Sequence, residues 1–191
     1  MDKRAEAREM SLAALRTPPP AFMLNEPIDY MFADHFRQRT LCTILDQIAD
    51  AAEPDHEAIS ASIEFLKTEF GPHVQDEEQD LFPVLQQRAT EEDEIGPILD
   101  QLGEEHAADK VDAASIIEQL AHLKSRKVTK IGSKLAQLLK RFAANERQHL
   151  IVENAIVLPL ARARLTTEDC KLLGQRMAAR RGIKVPARKP S

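Results

Sequence analysis

Apolar residues recur at three- and four-residue spacing along four long segments of the chain, which predicts four helices that each bury one face. The first covers residues 28–51, where one stripe consists of Ile28, Phe32, Leu41, Ile44, Leu45 and Ile48. The others are predicted over residues 55–88, 97–123 and 128–165. Within the second, Gly71-Pro72 predicts a kink or a short break. Because no stretch alternates with period two for long, the pattern predicts no strand.

Short connections between these helices favour an all-α, antiparallel up-down four-helix bundle over residues 28–165. Residues 1–27 are predicted to form an N-terminal helical and proline-rich extension, because no helix continues through Thr17-Pro18-Pro19-Pro20. Residues 166–191 are predicted to form a short helix and a basic tail. We expect the tail to be a solvated, frayed end; its cations are Arg176, Arg180, Arg181, Lys184, Arg188 and Lys189.

Composition supports this fold class and excludes several functions. Aromatic residues are only 4% of the 191 residues, so the core must come from aliphatic side chains, which suit helix packing. The net charge of −5 makes a nucleic-acid partner unexpected. No apolar run approaches the roughly 18–20 residues that cross a bilayer, and the N-terminus does not read as a secretory signal. Cys42 and Cys170 lie far apart without a CxxC motif, which fits a reducing cytoplasm.

Each of the four long helices carries one histidine that can face the bundle interior. Those that can face the interior are His35, His73, His106 and His149, whereas His56 and His122 lie near helix ends and are predicted to be exposed. Glu77 follows His73 by four residues, and Glu153 follows His149 by the same interval. Residues at this spacing share a helix face, one turn apart.

A His and a Glu placed in this way can serve two metal ions about 3.5–4 Å apart, because a carboxylate can bridge two cations while each imidazole binds one. Chance alone puts Glu four residues after a given His roughly one time in ten, so the motif needs support. Proline supplies it: Pro83 follows His73 by the same ten residues that separate Pro159 from His149. The match predicts an internal repeat of two ligand-bearing helices.

The ordered set of four His and two Glu, with the strings DHFRQR around His35 and EEQDLFPVL after His73, resembles the hemerythrin family over residues 28–165. The resemblance is to bacterial proteins with the HHE cation-binding domain. It implies a hemerythrin-like bundle with two iron ions, bridged by two carboxylates and by an oxo or hydroxo group. The implied ligands are His35, His73, Glu77, His106, His149 and Glu153. Imidazole also suits copper, zinc and nickel, so other divalent metals stay open.

The resemblance implies a non-haem di-iron protein that binds or reacts with O₂, NO or peroxide, in stress sensing, scavenging or iron-centre maintenance. Two alternatives stay open: an iron reservoir or donor with an iron–sulfur protein as partner, and an interaction module that the metal only stabilises. The sequence separates neither these functions nor a monomer from a homodimer, and it does not decide whether the centre turns over.

Two departures from the oxygen-carrying members weaken a role in reversible oxygen transport. Those members have a second His one turn beyond the third-helix His, where this chain has Lys110, and they have Asp at the position of Glu153. Four His and two Glu resemble instead the di-iron proteins that repair iron centres. Those begin with a small Cys-bearing domain that has no counterpart in this N-terminus, so the repair role does not transfer directly.

Several residues also allow interpretations that compete with this set. A ferritin-like arrangement would use Glu53 with His56 and Glu146 with His149, but the first pair straddles a proline and three histidines stay unexplained. Asp76, Glu78 and Asp80 are predicted to form a solvated face, although Glu78 is a neighbouring alternative to Glu77 as ligand. Tyr30 is predicted to pack in the core, with a hydrogen bond from its phenol to a metal-bound ligand as the alternative.

Overall fold

The computed structural model describes residues 3–125 and 130–185. Regular structure in these ranges is helical and includes no strand, which confirms the all-α helical bundle. Short 3₁₀ turns occur at Ala21–Asn25 and Glu91–Asp93, and π-helical turns at Leu66–Phe70, Asp76–Leu81 and Glu153–Val157. The α-helices are α1 Lys3–Arg16, α2 Pro27–Asp50, α3 His56–Phe65, α4 Gly71–Gln75, α5 Phe82–Arg88, α6 Gly96–Ser125, α7 Ser133–Val152, α8 Leu158–Arg164 and α9 Thr167–Arg180.

Of the kink or short break predicted at Gly71-Pro72, the break does not occur. The run from His56 to Arg88 stays helical, and π turns join α3 to α4 and α4 to α5. A π turn widens the helix, which gives room for a proline that lacks an N–H and would crowd the preceding turn. The start predicted for the fourth helix, Val128, lies outside the described residues; within them this helix begins at Ser133.

The chain divides into two compact units, and α2, α6 and α7 each contribute to both. Unit 1 contains Met1–Pro18, Phe36–Phe70 and Ala107–Gln148. Unit 2 contains Pro19–His35, Gly71–His106 and His149–Ser191. All six candidate metal ligands fall in unit 2.

Unit 1 is held by an aliphatic core and by a charged helix cap. Phe70 and Phe142 meet edge to face, with ring centroids 5.9 Å apart. The Asp55 carboxylate accepts hydrogen bonds from the backbone N–H groups of Glu57 and Ala58 and so caps α3. The Arg8 guanidinium also donates to this carboxylate and lowers the pKa of Asp55 to about 2.

Unit 2 surrounds its polar centre with a core of large apolar residues. The buried cluster includes Leu24, Ile28, Tyr30, Met31, Leu81, Phe82, Leu85, Ile95, Leu99, Leu102, Val157, Leu158, Ala161, Leu173, Met177 and Ala178. Phe32, predicted in the inner stripe of α2, is instead exposed. The buried face of this helix runs through Asp34 and His35, so a pattern built on apolar residues alone misassigned one turn.

Helix α9 corrects the prediction for the basic tail. Arg180 and the next residue, Arg181, were expected to be solvated, but they are largely buried and pair with Asp76 and Asp80 in the π turn Asp76–Leu81. Arg176 also pairs with Asp80, but its side chain stays exposed as predicted. Both aspartates are buried, so the solvated face predicted for them is wrong. Lys184 is exposed, whereas Arg188 and Lys189 lie outside the described residues.

Replacing Gly174 with alanine is expected to lower the free energy of unfolding by about 1–3 kcal/mol or more, since overpacking forces the backbone to shift. The added Cβ would lie 2.0 Å from the carbonyl oxygen of Leu24, which is backbone and cannot rotate away. Urea unfolding measures the change. Gly103→Ala is the matched control, because none of the described residues lies within 4 Å of its Cβ position and alanine there should stabilise α6 slightly. Equal stability of the two variants would contradict this packing.

Candidate metal centre

The two HxxxE motifs occupy equivalent positions, each at a junction between an α-helix and a π turn. His73 lies in α4 and Glu77 in the π turn Asp76–Leu81. His149 lies in α7 and Glu153 opens the π turn Glu153–Val157. The internal repeat predicted from the sequence is therefore present in the backbone as well.

The matched prolines explain where these π turns end. The carbonyl of Glu77 accepts its bond from the N–H of Phe82, five residues on, and the next residue is Pro83. The carbonyl of Glu153 accepts in the same way from Leu158, which precedes Pro159. A proline has no N–H to donate and its ring crowds the carbonyl four residues back, so the wider turn accommodates it. Such π turns occur frequently at functional sites.

Four buried side chains form the first candidate cation site, which we call site A: His35, His73, Glu77 and Glu153. Their ligand atoms all lie within 4.8 Å of one another. His73 Nε2 is 3.1 Å from Glu77 Oε1, and His35 Nε2 is 3.6 Å from the same oxygen. His35 Nε2 is also 3.5 Å from Glu153 Oε2.

A second candidate site, site B, consists of Glu77, His106, His149 and Glu153. His106 Nε2 lies 3.3 Å from Glu77 Oε2, and His149 Nε2 lies 3.0 Å from Glu153 Oε1. The two glutamates therefore belong to both sites and direct a different oxygen to each pair of histidines.

Each of the four histidines has a side-chain oxygen within 3.2 Å of its other ring nitrogen. His149 Nδ1 is 2.8 Å from Glu105, and His35 Nδ1 is 2.9 Å from the side-chain oxygen of Asn154. Contacts of this kind fix the ring and leave Nε2 for a cation.

The other two histidines each have a carboxylate beside Nδ1, but the two contacts differ in geometry. His73 Nδ1 is 3.1 Å from Asp34, whereas His106 Nδ1 is 3.2 Å from Glu78 without the angle of a hydrogen bond. The His106 ring also stacks on Phe82 at a centroid distance of 5.9 Å. All four Nε2 atoms thus have a neighbouring carboxylate oxygen on the inner side.

Electrostatics favour a deprotonated Glu77. Burial raises the pKa of this carboxyl, but the imidazoles of His73, His106 and His35 outweigh burial and hold it well below its usual value. Burial likewise lowers the pKa of His73, yet the carboxylates of Glu77 and Asp34 outweigh it and hold the pKa well above 6.5. Glu77 is therefore an anion at neutral pH.

The unsatisfied polar atoms test whether these residues fit a metal. His35 Nε2, both carboxylate oxygens of Glu77 and Glu153 Oε2 are buried without a hydrogen bond of acceptable geometry to any described residue. Buried polar groups are costly when their bonding capacity is unused. All four atoms belong to the two candidate sites, so cations there would satisfy all of them together. The donor set fits metal ions.

The structure brings together all six residues predicted from the sequence and leaves the two excluded histidines, His56 and His122, exposed. Lys110 is exposed as well. Glu78 lies beside Nδ1 of His106, on the side of the ring away from Glu77, and it belongs to neither candidate site. Tyr30 is buried beneath the Arg181 guanidinium, which supports packing.

Sequence reasoning missed the residues that orient the histidines, although a signal was available. Asp34 and Glu105 directly precede the two histidines that lack the HxxxE motif, and each contacts the ring of a histidine that has it. Asn154 and Glu78 directly follow the two ligand glutamates and contact the remaining rings. The pattern is two-fold, like the ligand set itself.

Within the described residues, no helix is both long and apolar enough to span a membrane.

One of three comparisons with known proteins finds a match. Neither a curated protein nor a solved structure shows significant similarity to the chain. The family model described as the hemerythrin HHE cation-binding domain matches residues 26–161, which include both candidate sites. The chain therefore belongs to the hemerythrin HHE cation-binding domain family.

Proposed function

We propose that this chain is a non-haem di-iron protein in which His35 and His73 hold one ion and His106 and His149 hold the other. Glu77 and Glu153 bridge the pair. The observation that carries the proposal is the sharing of both glutamates between sites A and B, with a separate oxygen directed to each. A site for one ion would not require the two oxygens of each glutamate to face different histidines.

Iron is favoured by the donor set and by the family. Two imidazole nitrogens and two carboxylate oxygens per ion leave coordination positions open, and this mixture suits iron more than calcium or magnesium, which prefer all-oxygen sites. Cysteine takes no part, since the buried Cys42 is absent from both groups and burial raises the pKa of its thiol. When bound, a ferrous pair supplies open positions for O₂, NO or peroxide.

The chain's own residues supply orientation and exclusion of water. The six proposed ligand residues are each at most 3% exposed, and Leu81, Phe82, Val157 and Leu158 form part of the apolar core beside the motifs. Burial of this kind limits solvent access and the loss of a small bound ligand. We therefore propose binding or reaction of a small diatomic or peroxide, in sensing, scavenging or iron-centre maintenance.

Titration of the reduced protein with NO under anaerobic conditions tests this function. The chain loaded with Fe²⁺ is expected to develop new visible absorption that saturates with NO, because open ferrous positions bind it. The same chain loaded with Zn²⁺ is the control, since zinc has no redox chemistry. An iron-loaded chain that responds to none of NO, O₂ and peroxide would contradict the proposed function while leaving iron binding in place.

A second candidate function, an iron reservoir or donor, is favoured by the partial exposure of site B's supporting carboxylates. The side chains of Glu78 and Glu105 are 29% and 36% exposed, whereas Asp34, which supports His73, is 2% exposed. Solvent-facing carboxylates beside His106 and His149 offer a route for exchange. Transfer of iron to an apo iron–sulfur protein, without consumption of NO or peroxide, would favour this function.

A further inference from the structure

The last turn of α9 contacts the π turn that carries Glu77. Arg180 pairs with Asp76 and, through Nη2, with Asp80 at 2.7 Å. Arg176 Nη1 lies 2.9 Å from Asp80 Oδ1, and Arg181 Nη1 lies 2.6 Å from Asp76 Oδ2. The two aspartates flank the ligand glutamate in sequence, one residue before it and three after it. Three arginines therefore form ion pairs with aspartate side chains of the π turn that carries Glu77.

These ion pairs are largely removed from water. The side chains of Asp76 and Asp80 are 1% and 5% exposed, and those of Arg180 and Arg181 are 16% and 12% exposed. Arg176 differs, with a side chain that is 62% exposed. Charges buried in this way must stay paired, because removing one partner leaves an uncompensated charge. Arg180, which bridges both aspartates, is therefore the member on which the contact depends most.

Arg181 extends the contact to the segment that carries His35. Its guanidinium lies 5.3 Å from the centroid of the Tyr30 ring in α2. Burial lowers the pKa of Arg181, but the carboxylates of Asp76 and Asp34 contribute to outweighing it, and the pKa is raised above its usual value. Asp34 in turn contacts the His73 ring. The end of α9 therefore lies beside the π turn that carries Glu77 and beside the part of α2 that carries His35.

Helix α9 is anchored along its length rather than only at its end. Its first turn carries a capping box between Thr166 and Asp169, and Asp169 also accepts two hydrogen bonds from Arg88 of α5. In its middle, Gly174 allows the helix to approach the backbone of Leu24 directly. This anchoring places the arginines at a fixed distance from the π turn.

We propose that α9 is a latch on the metal centre, in which Arg180 and Arg181 are positioning residues that hold the π turn of Glu77 in its ligating geometry. The inference rests on the proposed function, because it concerns retention of the same ions. Opening the latch would let the π turn relax and Glu77 withdraw from both sites. The C-terminal helix would then control how fast the ions leave.

Metal release from the full chain tests the latch. The chain is loaded with Co²⁺, whose visible absorption reports its ligands, and the loss of absorption is followed in excess chelator. Arg180→Ala is expected to release Co²⁺ about 10-fold faster or more, and to change the spectrum of the loaded protein, in line with the ~10–100-fold effects of outer groups on metal affinity. Arg180→Lys keeps the charge but loses the forked contact, so an intermediate rate is expected.

Arg162→Ala is the matched control, because Arg162 pairs with Asp29 and both side chains are about half exposed. If Arg180→Ala does not fold, Asp80→Asn replaces it, since this variant leaves Asp76 available to Arg180 and Arg181. Release at the control rate with an unchanged spectrum would overturn the latch, even if the variant melts at a lower temperature. A wild-type chain that takes up no metal would contradict the proposed function itself, and the latch with it.

Discussion

Glu77→Gln is expected to abolish tight binding of the second metal ion and to weaken the first by about 100-fold or more, since even outer groups contribute ~10–100-fold to metal affinity. The physical reason lies in the two oxygens of Glu77, which face His73 and His106 respectively. An amide keeps the size of the side chain but has only one oxygen and no charge, so it cannot bridge two cations. The loss should therefore be felt at both sites.

Isothermal titration of the apo protein with metal measures this loss directly. Glu64→Gln is the matched control, because Glu64 is exposed on α3, earlier in the same helical run. Circular dichroism of both variants checks that the helices persist. Two ions bound by Glu77→Gln with wild-type affinity would exclude Glu77 as the bridge.

Glu153→Gln should behave in the same way as Glu77→Gln, because the two HxxxE segments are equivalent by structure as well as by sequence. Comparing the two variants shows whether each glutamate binds both ions or only one of them. If each glutamate served a single site, the two variants would each lose one ion and retain the other tightly.

Removing the metal is expected to lower the melting temperature by about 10–20 °C. At a free metal concentration of 100 times Kd, each bound ion contributes about 2.7 kcal/mol to the folded state. For a chain of this size, 1 kcal/mol corresponds to about 2–4 °C. Binding would also satisfy the buried atoms of His35, Glu77 and Glu153 that otherwise lack partners among the described residues.

Calorimetric melts with and without chelator measure this shift, and re-addition of metal should reverse it. Glu77→Gln supplies the internal control, because a chain that binds weakly should respond little to the chelator. Coincident melting curves for loaded and chelated wild-type protein would show that the centre contributes nothing to stability, contrary to expectation.

Helical periodicity predicted the pairing within each HxxxE motif, and the resemblance to the hemerythrin family implied the full set of six candidate ligands. His73 with Glu77, and His149 with Glu153, share a face because they are four residues apart, whatever the rest of the fold does. One histidine on each remaining long helix then completed the set, and the structure groups all six side chains. The prolines at matched offsets were also informative, since each marks the end of a π turn.

Contacts between helices could not be predicted in this way. Asp34 is adjacent to His35 in sequence, yet it contacts His73, because the direction of a side chain depends on how its helix is rotated against its neighbours. For the same reason, the burial of Asp76 and Asp80 could not be predicted from the sequence. In the sequence they resemble a solvated acidic face. Their buried charges are compensated by arginines of α9, which follow about 100 residues later.

The central claim is that one chain holds two ions between shared glutamates, and native mass spectrometry of anaerobically reconstituted protein tests it most directly. We predict a dominant species with two iron ions per chain, reduced to at most one by Glu77→Gln and unchanged by Glu64→Gln. A wild-type chain that saturates at a single ion, or at none, would contradict it.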